Sequence, residues 1–145
     1  MKKGIYSIEN TRQLAKNTFL TRLAGDTSAF CAPGQFINIA LDGFFLRRPL
    51  SVCDWDGEGL TVIYKTVGKG TKALANLPAG TKLDVLTGLG NGFSVETSGL
   101  RPLLIGGGAG VPPLYGLAKR LIGKGARPVV ILGFNTAEEV FFEKE

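Results

Sequence analysis

The 145-residue chain has no histidine, and that absence excludes more than any motif in it. Without an imidazole there is no Ser-His pair, no histidine general base and none of the usual zinc sites. Cysteine is nearly as scarce. Cys31 and Cys53 are too few for a metal cluster and make a weak case for a disulfide, which suits reduced thiols in a cytoplasmic protein. A run of basic residues interleaved with aromatics is also missing. The 17 Lys and Arg against 12 Asp and Glu, a formal charge of +5, are scattered along the chain. This argues against a nucleic-acid partner and fits an anionic cofactor such as a dinucleotide. Long apolar runs are lacking too. The N-terminus Met1-Lys2-Lys3-Gly4-Ile5 has no signal-peptide core, and the uncharged stretch from Pro102 to Ala118 includes Arg-free but glycine- and proline-broken sequence, so no membrane span is expected.

What the chain does have is a 44% hydrophobic fraction and 21 glycines. The first suffices for a folded core; the second implies tight turns or a ligand approaching bare backbone. Short alternating segments occupy the first two-thirds: Gly4–Glu9, Thr18–Ala24, Gln35–Leu41, Leu46–Cys53, Leu60–Val67 and Lys82–Leu86. With Gly and Pro turns between them they predict a small antiparallel barrel or sandwich. A short helix is expected over Thr71–Asn76, with Thr71 as its cap. The loop Gly88–Gly92 follows. Near residue 99 the pattern changes to an apolar strand (Arg101–Ile105), a glycine loop, a helix (Pro112–Ile122), a second apolar strand (Pro128–Phe134) and the start of another helix. That order predicts parallel strands. The expected division is residues 1–98 and 99–145, the second unit being too short to complete its own sheet.

Three stretches could carry chemistry, and each has two readings. Gly106-Gly107-Gly108-Ala109-Gly110 lies between strand and helix. It is either a tightly packed turn or a place where a nucleotide meets backbone N–H groups. It is not the dinucleotide fingerprint G-x-G-x-x-G, because Val111 occupies the last position. Gly68-Lys69-Gly70-Thr71 is either a capped loop or a second phosphate seat. In Leu46-Arg47-Arg48-Pro49-Leu50-Ser51, alternation sends the two arginines to opposite faces. One reading is a surface salt bridge beside a buried serine. The other gives Arg48 a diphosphate to bond with its planar guanidinium, leaving Arg47 to solvent or to another chain.

Taken in order, Arg48-Pro49-Leu50-Ser51, Ile63-Tyr64-Lys65, Gly70-Thr71 and Gly106–Gly110 followed by Val-Pro-Pro-Leu resemble the ferredoxin–NADP reductase superfamily. Within it, RRPLSVCD and VIYKTVGKGT most resemble the electron-transfer subunits of type B dihydroorotate dehydrogenases. The resemblance covers the whole chain. It implies a flavin-binding antiparallel β-barrel followed by an incomplete parallel β-α-β nucleotide-binding domain.

It also implies roles. Arg48 would hold the FAD pyrophosphate, Pro49 and Leu50 would line the flavin through backbone, and Ser51 would sit at its reactive edge. Ile63, Tyr64 and Lys65 would flank the ribityl and phosphate region. Gly70 and Thr71 would bind the pyrophosphate. Gly106, Gly107, Gly108 and Gly110 would face the nucleotide of NAD(H) or NADP(H). No residue is expected to act as an acid or base. The family's four-cysteine [2Fe-2S] segment has no counterpart here, so the cluster is expected only in the full-length subunit and this chain to be its N-terminal part.

The function so implied is NAD(P)H-dependent electron transfer to an FMN-containing catalytic dehydrogenase subunit in a hetero-oligomer, with self-association left open, in pyrimidine biosynthesis. Equivalent subunits of ferredoxin:NADP oxidoreductase, hydrogenase or sulfite reductase complexes are alternatives. A non-enzymatic nucleotide-binding module is another.

Overall fold

Period-two alternation governs the chain as far as Leu89. The computed structural model describes residues 1–143. Its first six strands are β1 (Lys2–Ala15), β2 (Thr18–Ala24), β3 (Phe36–Ile39), β4 (Arg48–Trp55), β5 (Gly59–Lys65) and β6 (Lys82–Leu89). They close into an antiparallel barrel in the order β1-β2-β5-β4-β3-β6. Ile8, Leu23, Ile37, Ile39, Val52, Leu60, Val62 and Val85 fill its interior. The alternate positions face outward, as a pleated strand requires.

β1 is longer than the alternation of Gly4–Glu9 suggests because it serves two neighbours. Lys2–Ser7 pair with β6 and Ser7–Ala15 with β2. Irregularities at Ile8/Asn10 and Gln13/Ala15 let one strand bend around the barrel. The turn into β2 uses Asn17 at φ 55°, a left-handed position that asparagine tolerates.

Helix α1 (Lys69–Ala75) plugs one end with the buried Leu74. It starts earlier than expected. Gly68, not Thr71, is the N-cap. Thr71 lies inside the first turn, where its hydroxyl donates to the Gly68 carbonyl at 3.1 Å and accepts from the Gly68 N–H at 3.3 Å.

Beyond the barrel, β7 (Leu103–Gly107) and β8 (Val129–Gly133) form a two-stranded parallel sheet joined by α2 (Val111–Gly123). Leu114, Leu117 and Leu121 lie on one helical stripe and bury against Leu104 and Ala126. Gly108–Gly110 form a single 3-10 turn between β7 and α2. The helix expected after Phe134 is only a 3-10 turn, Ala137–Glu139. No helix among the described residues is long and apolar enough to cross a membrane.

Candidate cofactor site

The hydrogen-bond ladder of the barrel opens between β4 and β5. β4 pairs with β3 along Arg48–Ser51, but with β5 only at Val52, Asp54 and Trp55. Pro49 has no N–H to give, and proline is tolerated where a ladder is interrupted. One side of Pro49-Leu50-Ser51 and the facing side of Ile63-Tyr64-Lys65 are therefore free of strand partners. Leu50 packs against the barrel core, so by the pleat Pro49, Ser51 and Cys53 point outward.

Arg48 stands at the start of this opening. Its Nη1 donates to the Leu46 carbonyl at 2.6 Å, and its Cζ lies 5.0 Å from the centre of the Phe44 ring. Gly70 lies directly beneath it. A Cβ on Gly70 would come within 2.0 Å of Arg48 Nε, so the guanidinium occupies space only a glycine leaves open. Among the described residues, no carboxylate lies within 4.0 Å of Arg48. A half-buried, permanently charged fork held in place without a counterion fits an anion such as a pyrophosphate.

Arg47 corrects an expectation. It is not left to solvent, for its side chain is bonded within its own chain. Its Nη1 donates to the carbonyls of Asn38 and Asp84 at 3.3 and 3.1 Å, and its Nη2 to Asp84 Oδ1 at 3.0 Å. It thus ties β3 to β6. Alternation did separate the two arginines, but to one structural and one unpaired position.

The second expected row is only partly available to a ligand. Tyr64 is 3% exposed and points into the barrel, where its hydroxyl lies 3.0 Å from that of Thr21. Burial raises its pKa. The Tyr64 side chain is thus enclosed in the barrel, and only its backbone lies along the open edge of β5. The Lys65 ammonium, expected beside phosphate, is held by Glu139 at 2.9 Å. That bond holds the Glu139 carboxyl below its ordinary range. Ile63 does face outward, into a buried cluster with Cys53, Val111 and Phe141. Burial pushes the Cys53 thiol up to about 12, which leaves it an unreactive packing group.

The glycine loop divides. Gly106 is a packing position, since a Cβ there would stand 2.4 Å from Leu114 Cδ1. Gly107 lies against Gly133. Gly107 and Gly108 line an opening of about 490 Å³ with Gly133, Phe134, Asn135 and Glu139. It lies where β7 and β8 end, the usual ligand position in a parallel sheet. Gly108 and Ala109 also border Ile63, Tyr64 and Lys65. The chain thus brings the loop to the same side of the barrel as the β4–β5 opening. Phe44 and Glu139 were missed in the sequence. Phe44 sits just ahead of the double arginine, but Glu139 is joined to Lys65 only by the fold. Among the described residues, no group of three or more His, Cys, Asp or Glu could hold a metal ion.

An antiparallel barrel with an opening of this kind, followed by a parallel β-α-β unit, is the fold of the ferredoxin–NADP reductase-like FAD- and NAD-binding proteins, and the chain shares it. No family model matches it. The structure of an NADH-dependent reduced ferredoxin-NADP oxidoreductase that carries out flavin-based electron bifurcation superposes with a TM-score of 0.86 at 30% identity, over 97% of this chain and 52% of that one. More particularly, the chain is 46% identical over 147 aligned residues to the dihydroorotate dehydrogenase B (NAD(+)) electron transfer subunit of Fusobacterium nucleatum, covering 96% of this chain and 57% of that protein. The subunit of the same name from Bacillus mycoides is 44% identical over 153 residues, covering all of this chain and 59% of its own length. The chain thus spans less than two-thirds of the length of the curated relatives it matches.

Proposed function

We propose that this chain forms the FAD-binding barrel and the first nicotinamide-binding segment of an NAD(H)-dependent electron-transfer subunit of the dihydroorotate dehydrogenase B type. The observation that carries this reading is Arg48, a charged fork without a carboxylate partner, seated on Gly70 beside an unpaired strand edge. Its guanidinium would donate two parallel bonds to the FAD pyrophosphate. The free backbone of Pro49, Leu50, Ile63 and Tyr64 would meet the flavin and ribityl chain, and Ser51 would lie at the ring. Gly107, Gly108 and Gly110 would let the nicotinamide nucleotide approach backbone closely. The buried Cys53, Ile63, Val111 and Phe141 would keep water from the space between them.

Bound FAD would supply the exchange of a hydride for single electrons. The chain's own residues bind, orient and exclude water, in keeping with a site without histidine. The boundary between the two units falls near residue 99 in this reading. The partner is a catalytic dehydrogenase subunit carrying FMN, and the compartment is the cytoplasm. The relatives' names support NAD(+) as the nucleotide.

The test is reconstitution with FAD. The expected outcome is a bound-flavin spectrum bleached by NADH. Arg48→Ala should weaken FAD binding by about 1.5–3 kcal/mol, the worth of hydrogen bonds to a charged group. Failure of the parent protein to bind any FAD overturns the reading; unchanged affinity in Arg48→Ala removes Arg48 from it.

A further inference from the structure

Helix α2 meets the barrel through a glycine. Gly116 is buried in mid-helix, and a Cβ there would stand 2.4 Å from the carbonyl oxygen of Cys53. That oxygen is backbone, so no rotamer change relieves the contact; helix or strand has to move. The same face of α2 grips the next two residues of β4. Lys119 donates to the Asp54 carboxylate, and Arg120 lies over the Trp55 ring with its Cζ 3.8 Å from the centroid.

Each end of this contact leads to one half of the proposed site. Ser51 is two residues back along β4, about 7 Å away. Gly110 is six residues back toward the start of α2, about 9 Å along its axis. Resting on the function proposed above, we infer that Gly116 is a positioning residue: its missing side chain sets the separation between the nicotinamide-side loop and the flavin-side strand. Transfer of a hydride from nicotinamide C4 to flavin N5 oxidises the first and reduces the second by two electrons. A misplacement of about 1 Å can cost such a step roughly a hundredfold. A methyl group at Gly116 forces a shift of that size.

The test compares Gly116→Ala with Gly123→Ala in the intact native polypeptide loaded with FAD. Gly123 lies on the same helix, and a Cβ there would meet nothing within 4 Å. Gly116→Ala should keep the parent FAD affinity and full reduction by dithionite. Its single-turnover rate of flavin reduction at saturating NADH should fall roughly ten- to hundredfold. The long-wavelength charge-transfer absorbance between reduced flavin and NAD+ should weaken. In the ligand-free protein, amide exchange in Val52–Trp55 should quicken. Gly123→Ala should match the parent throughout.

A parent-like rate and charge-transfer band in Gly116→Ala overturn the inference. Should Gly116→Ala fail to fold, Arg120→Ala loosens the same contact without inserting an atom. It should then slow reduction roughly three- to tenfold, and a parent-like rate overturns the inference. A parent protein that binds no FAD sinks the functional reading and this inference with it. Equal rates in a flavin-loaded parent and variant sink this inference alone.

Discussion

The barrel and the parallel strand pair are built from equally apolar segments, yet they bury them very differently. In the barrel each strand has a neighbour on both sides, and Leu60 and Val62 are wholly enclosed. In the pair, Ile105 is 68% exposed and Ile131 53% exposed, although both belong to apolar runs in the sequence. The difference lies in closure rather than composition. A closed sheet has an inside, whereas two parallel strands covered by one helix have only one sheltered face. That helix is itself anchored on the barrel, through Gly116, Arg120 and Val111.

The contrast can be broken at several points. The largest effect is expected in the barrel core. Leu60→Ala should cost about 2–5 kcal/mol by denaturant unfolding. A cost below 1 kcal/mol would mean that the barrel is not the stable unit. Next comes the site at its opening. Gly70→Ala should lower FAD affinity nearly as much as Arg48→Ala, about 1.5–3 kcal/mol, while the melting temperature barely moves. The three atoms that would stand nearest the new methyl group all belong to the movable Arg48 fork. Calorimetric titration of the two single variants and the double variant should show non-additive losses; additive losses would separate the two residues.

Arg47→Ala should be milder, about 1 kcal/mol of stability with FAD affinity unchanged, because its bonds are partly exposed and structural. Lost flavin in that variant would reverse the roles of the two arginines. Smallest of all is Ile131→Ser on the open sheet, expected within about 0.5 kcal/mol. A larger loss would show that this face is covered in solution.

Acid should also act on the barrel. The Asp56 carboxyl accepts two bonds from Arg22 at 2.7 Å, and others from the Glu58 and Gly59 N–H groups. These hold its pKa at about 2, below the ordinary 3.8. A lowered pKa stabilises the fold above the unfolded value, and the contribution is lost as pH falls from about 4 toward 2. Melting temperatures of Asp56→Asn over that range should fall less steeply than those of the parent.

Much of this was legible in the sequence, for identifiable reasons. β2, β5 and the β7-α2-β8 order follow from local alternation and apolar runs, so the bounds of β2 are unchanged and the others shifted by only a residue or two. The divergence of Arg47 and Arg48 follows from the pleat. Their partners did not follow, because Asp84 and Gly70 arrive from strands and helices distant in the chain. The inward side chain of Tyr64 was not legible for the same reason: its place in a motif gave no sign of which face of β5 it occupied, and the pleat puts it inside. Gly116 carried no signal at all, since a glycine within a helical pattern reads as a defect until the facing backbone is known.

The interrupted ladder between β4 and β5 has a consequence for how this site changes over time. Its walls are largely peptide groups, which every residue supplies alike. Drift at Leu50 or Ile63 that keeps the strands in place would leave most of the proposed binding surface intact, and alanine substitutions at those two positions would pass over it. Replacing single peptide bonds by esters along Leu50-Ser51 and Ile63-Tyr64 would expose what side-chain substitution cannot.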